Sequence, residues 1–98
     1  MPDYLMLMHD DPSKAAADSD WAAYIEALVK TGKLRGGSAI GGGLCRRKSG
    51  AAPSITRHIG GFLRVEARNL AEAEALLAGN PVFENGGTVE IRELPKTS

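Results

Sequence analysis

The segment Tyr4-Leu5-Met6-Leu7-Met8-His9 is apolar along both of its alternating sets of positions. Side chains alternate faces along a strand, so Tyr4, Met6 and Met8 line one side and Leu5, Leu7 and His9 the other. A sheet with one wet face alternates apolar with polar residues, and this segment does not. It reads as a central strand of a sheet that must be covered on both faces. Helices cover one face. A chain of 98 residues has few elements left for the second, so another copy of itself is the expected cover, as a homodimer.

Length and charge narrow the class. Residues 1–98 are expected to form one domain, since domains run from about 50 to 250 residues. Formal net charge is zero and the pI is about 6.7, which excludes a nucleic-acid partner recruited by bulk electrostatics. No apolar run approaches the ~20 residues of a membrane span, so no membrane partner is expected. Met1-Pro2-Asp3 lacks the basic start of a signal peptide. The lone Cys45 allows no internal disulfide and fits a reducing compartment. A cytoplasmic location is expected.

After the first strand, Asp10-Asp11-Pro12-Ser13 forms a stop. Trp21, Tyr24, Ile25, Leu28 and Val29 then fall on one helical stripe, with Ser19 as the expected N-cap and Gly32 at the C-terminal end. Leu34 to Gly43 has room for one short strand, and Leu44 to Lys48 for a second. Ile59 to Ala67 reads as a strand with Ile59, Gly61, Leu63 and Val65 on one face and Phe62, Arg64 and Glu66 on the other. Asn69 and Glu72 form a capping-box-like pair for a second helix whose buried stripe is Leu70, Ala73, Leu76 and Leu77, and Gly79-Asn80-Pro81 ends it. Thr88 to Leu94 is the last strand, Val89 and Ile91 facing the core, and the tail 95–98 is expected to fray. This order gives an α+β, ferredoxin-like split β-α-β sandwich.

Several of these segments together resemble the YCII-related family, in particular its DGPF branch. They are Tyr4-Leu5-Met6-Leu7-Met8, Trp21-Ala22-Ala23-Tyr24 with Leu28, Gly32 and Leu34, Gly60-Gly61-Phe62-Leu63 with Glu66-Ala67, Leu70-Ala71-Glu72-Ala73, and Gly87-Thr88-Val89-Glu90-Ile91-Arg92. The resemblance implies a dimeric α+β barrel, two sheets face to face around a cleft. It also implies a choice of roles: some relatives are proposed enzymes built on a His–Asp pair, and the DGPF branch is associated with alternative sigma factors. Two departures stand out. Ser49-Gly50-Ala51-Ala52-Pro53 occupies the place of the Asp-Gly-Pro-Phe motif, while Trp21 and Asn80 fall where the relatives' histidine and aspartate would be. An indole and an amide cannot relay a proton near neutral pH.

The remaining candidates are few. His9 and His58 are the proton-transfer candidates, with Asp10 as the orienting carboxylate for His9, and Asp10 and Asp11 otherwise read as turn residues. Trp21, Arg57 and Phe62 are the candidate ligand-binding residues, Arg57 as an anchor for an anion. No second motif with metal-ligand spacing accompanies the histidines, so neither a metal nor another cofactor is expected. The glycine-rich Gly36–Gly43 stretch has no Lys-Ser/Thr after its last glycine and fails as a phosphate loop. Arg46-Arg47-Lys48 reads as a solvated edge, and Cys45 as inert. The leading reading is a small-molecule-binding protein or an enzyme of undefined reaction, with a cleft at the sheet face. The alternative is a non-catalytic interaction module linked to transcription.

Overall fold

A computed structural model describes residues 1–96. Four strands and three helices follow the order β1 (Asp3–His9), α1 (Asp18–Thr31), β2 (Leu34–Ala39), β3 (Ile59–Glu66), α2 (Leu70–Ala75), α3 (Pro81–Glu84) and β4 (Val89–Leu94). The strands form one antiparallel sheet in the order β2-β3-β1-β4. β1 is central, as its doubly apolar sequence requires. The expected fraying of the tail falls partly on residues 97–98, outside the described residues.

Strand register sorts the side chains into rows. On the helix-facing side Leu34, Val65 and Tyr4 share one row, Gly37, Leu63, Met6 and Ile91 the next, and Ala39, Gly61, Met8 and Val89 the third. Tyr4, Met6, Met8, Leu63 and Val65 are buried there with Tyr24 and Leu28 of α1 and with Ala73 and Leu77. Met6 and Val65 are wholly enclosed, and truncating a methionine so placed to alanine costs about 2–5 kcal/mol. The methionines thus pack under the helices. On the opposite, open side Leu5, Leu7 and Phe62 sit half-buried, with no helix among the described residues packed on them. Extents of 46 × 40 × 18 Å match one sheet carrying one helical layer.

Charged pairs rim this open face: Arg64 Nε lies 2.9 Å from Asp3, Arg35 Nη2 2.8 Å from Glu66, and Arg92 Nη1 3.1 Å from Glu90. On the helical side, Glu72 accepts from Lys33 Nζ at 2.8 Å and from Arg68 Nε at 2.6 Å. These two cations hold its carboxyl down at about 2, against an ordinary 4.5, and tie α2 to the turn before β2 and to the link after β3.

Helix ends follow their local chemistry, with some departures from the sequence reading. α1 is capped at Ala17, not Ser19. Asp20 at N3 accepts from the Ala17 N–H at 3.2 Å, so the helix starts earlier than a serine cap would place it. Gly32 closes α1 in the left-handed region at φ 73°, as expected. Asn69 caps α2 by accepting from the Glu72 N–H at 2.9 Å. Val29 and Leu70, placed on buried stripes by spacing, are 60% and 56% exposed, while their stripe neighbours Tyr24, Leu28, Ala73 and Leu77 are buried. Asn80-Pro81 starts a helix as well as ending one: Asn80 is fully buried, its Oδ1 accepts from the Val82 and Phe83 N–H groups, and Pro81 takes the first helical turn. Residues 44–48 are coil, so β2 passes to β3 through one long connection, residues 40–58, with no second short strand.

Candidate functional site

The third row is short of bulk at one corner. Met8 and Val89 fill its β1 and β4 positions, but β3 and β2 contribute only Gly61 and Ala39, and Gly37 sits diagonally beside them. The first turns of α1 pass above this corner and bring Trp21 and Ile25. A cavity of about 600 Å³ lies between helix and sheet at this corner, lined chiefly by Trp21, Ile25, Leu34, Met8, Leu63 and Val82, with Gly37, Ala39 and Gly61 among the strand residues below. Small-molecule sites typically enclose about 300–1,000 Å³ with a mostly apolar lining. Tyr24 holds the Trp21 ring edge-to-face at a centroid distance of 6.2 Å, and its own buried hydroxyl donates to the Leu76 carbonyl at 2.7 Å. Burial pushes the Tyr24 phenol above its ordinary range.

The polar edge of the cavity is the end of β1. A register shift at Met8/His9 turns the strand, and both His9 and Asp10 border the space. The chain beyond is pinned: Asp11 accepts from the Thr88 N–H at 2.8 Å and the Thr88 hydroxyl at 2.7 Å, and both the N–H and the hydroxyl of Ser13 donate to the Asn85 carbonyl. Those two bonds to Thr88 hold the Asp11 carboxyl below its usual range. Asp11 is therefore committed to the turn. Asp10 points elsewhere, its Oδ1 lying where a Cβ on Gly60 would come within 2.5 Å of it, so a side chain at position 60 would displace this carboxylate.

His9 and His58 are brought together. Their rings meet edge-to-face with centroids 4.9 Å apart, and the Asp10 N–H donates to the His58 carbonyl at 2.7 Å. The carboxylate beside His9 is Glu90, with Nε2 and Oε1 3.3 Å apart, and not Asp10. Arg92 and then His9 keep the Glu90 carboxyl below its ordinary value. Of the five residues singled out from the sequence, His9, Trp21 and Phe62 border the cavity, Phe62 from the strand positions of the open face. His58 stands behind His9, and Arg57 is exposed and outside the lining. Glu90, Asp10 as a cavity group, Ile25 and Val82 escaped the sequence reading. Among the described residues no group of three or more His, Cys, Asp or Glu side chains is arranged to hold a metal ion, and no helix is long and apolar enough to cross a membrane.

A sheet in this order with its helices on one face defines a small α+β protein of the ferredoxin-like class. More narrowly, the chain belongs to the YCII-related domain family, whose model matches residues 3–97. A search against curated protein sequences gave no significant match. Among solved structures, the chain is similar to 5-chloro-2-hydroxyhydroquinone dehydrochlorinase from Burkholderia phenoliruptrix, in complex with 2,5-dihydroxybenzoquinone. Identity is 19%, the TM-score is 0.56, and the match covers 97% of this chain and 95% of the other. At that identity the likeness speaks for the fold.

Proposed function

We propose that this chain, as one YCII-related domain acting as a homodimer, binds an apolar small molecule in the cavity under α1. The observation that carries the reading is the unfilled corner: a space of about 600 Å³ walled by Trp21 and Ile25 over the strands, with His9 and Asp10 among the residues at its edge. Unfilled apolar volume weakens packing, and a ligand offsets that loss. His9, braced by Glu90 and His58, is the group suited to move a proton to or from a bound molecule. The similar dehydrochlorinase, seen with a ring compound, supports a ring-shaped ligand here. The uncovered Leu5, Leu7 and Phe62 support the dimer.

The test uses indole as probe. Isothermal titration should give saturable binding to the wild-type protein, and Ala39→Phe, which fills the corner from an exposed edge strand, should abolish it with the circular dichroism spectrum unchanged. Undiminished binding to a folded Ala39→Phe variant would place the ligand elsewhere.

A further inference from the structure

Resting on the cavity reading, we infer that the ligand is a flat, uncharged ring carrying a hydroxyl or N–H donor, stacked against Trp21 with its donor on Asp10. Three observations carry this.

The first is the shape of the walls. Trp21 is held in orientation by Tyr24 at 6.2 Å and forms a wall of the cavity. The floor below is low, because the Leu63 and Met8 side chains close over Gly37 and Gly61 and Ala39 adds only one methyl. A flat ring lies against both at once, with aromatic stacking on the indole beyond the gain from area alone. A puckered ring of equal size fills the volume without that stacking.

The second is charge. Among the described residues lining the cavity, His9 and Asp10 are the ionisable ones, and no lysine or arginine is among them. Arg57, which the sequence offered as an anion anchor, stands outside. An anionic ligand would therefore lose its hydration with no lysine or arginine to replace it, beside a carboxylate of like sign.

The third is hydrogen-bonding capacity. Asp11 is saturated by Thr88 and Glu90 is engaged by Arg92 and His9. Asp10, by contrast, is exposed at the cavity edge beside Gly60, accepts no hydrogen bond and makes no ion pair among the described residues, and exchanges only water for a ligand's donor. A carboxylate is acceptor-only, so what it takes from a ligand is a donor, such as a phenolic O–H or a ring N–H.

The experiment is isothermal titration of the wild-type protein with four probes of similar size: 2-naphthol, decahydro-2-naphthol, 2-naphthoate and 2-methoxynaphthalene. 2-Naphthol should bind about three- to tenfold more tightly than its saturated analogue, at least about tenfold more tightly than the carboxylate, and more tightly than the methyl ether. Trp21→Leu should remove the first preference, Trp21→Phe should keep part of it, and Asp10→Asn should bring 2-naphthoate to within about threefold of 2-naphthol. Circular dichroism confirms that each variant is folded. Equal binding of decahydro-2-naphthol by the wild type overturns the flat-ring claim and leaves the cavity reading standing. Equal or tighter binding of 2-naphthoate overturns the uncharged-ligand claim in the same way, and equal binding of 2-methoxynaphthalene, a neutral analogue with no donor, overturns the donor claim. No binding of any probe, indole included, overturns the cavity reading and this inference with it.

Discussion

Gly37→Ala tests the corner at its tightest point. Gly37 lies opposite Leu63 in the pairing of β2 with β3, and its φ is outside the left-handed region. Alanine is therefore refused by space and not by backbone conformation. A Cβ built there would stand 2.6 Å from Leu63 Cδ2, 2.6 Å from the Phe62 carbonyl oxygen and 3.2 Å from Leu63 Cα. Ordinary carbon contacts begin near ~3.5 Å, so two neighbours must each give way by most of an ångström. Leu63 is buried in the core at 5% exposure, and the Phe62 oxygen belongs to the backbone, so the strand itself must shift. Overpacking of this kind costs about 1–3 kcal/mol. In a domain of this size each kcal/mol lowers Tm by about 4–8 °C. Thermal unfolding followed by circular dichroism should then show a drop of at least about 4 °C. Gly41→Ala is the matched control, because nothing lies within 4 Å of its Cβ and its φ is not positive; reduced freedom of the unfolded chain should leave it neutral or stabilised by up to about 1 kcal/mol. A Gly37→Ala protein as stable as Gly41→Ala would refute the packing of β2 on β3, and with it the strand floor of the cavity.

Two further expectations concern assembly and pH. Light scattering should give the mass of two chains for the wild type and of one for Leu7→Glu, because a carboxylate at the centre of the open face cannot be buried against a second copy; a wild-type monomer at micromolar concentration would end the dimer proposal. The Glu72 carboxyl titrates near 2 in the folded chain, below its ordinary 4.5, so it stabilises the fold above the unfolded value, and that contribution is lost as pH falls from about 4.5 towards 2. Replacing it in Glu72→Gln should flatten the acid limb of a Tm-versus-pH curve; an unchanged limb would mean that the Lys33 and Arg68 contacts do not persist in solution.

Much of the frame was legible in residue types. Alternation placed Leu63 and Val65 opposite Phe62 and Arg64, and Gly32 and Asn69 marked helix ends by the bonds they in fact make, while the Glu72 carboxylate accepts from the Arg68 N–H and not from the Asn69 N–H that a capping box would use. Other signals carry two meanings. Asn80-Pro81 reads as a stop, yet an asparagine cap followed by proline is also the chemistry of a helix start, and only the burial of Asn80 decides between them. Leu44 to Lys48 has strand-like composition but no neighbouring strand to pair with. The site was the least legible part. His9 meets Glu90 across 81 residues because β1 and β4 are neighbours, a fact of register that no local pattern contains. Likewise the cavity depends on Ala39 and Gly61 falling in one row beneath Trp21. Each is unremarkable alone, and the void appears only when three strands and a helix are placed together.

The shrinking side chains of the third row also bear on selectivity. Ala39 is on an edge strand, exposed, at the boundary of the cavity and outside the buried core. Changes there trim or widen the space by one carbon group at a time, while Met6, Val65 and Tyr24 go on holding the fold. Under the proposed reading, substitution at position 39 therefore changes what the cavity admits while the fold is kept.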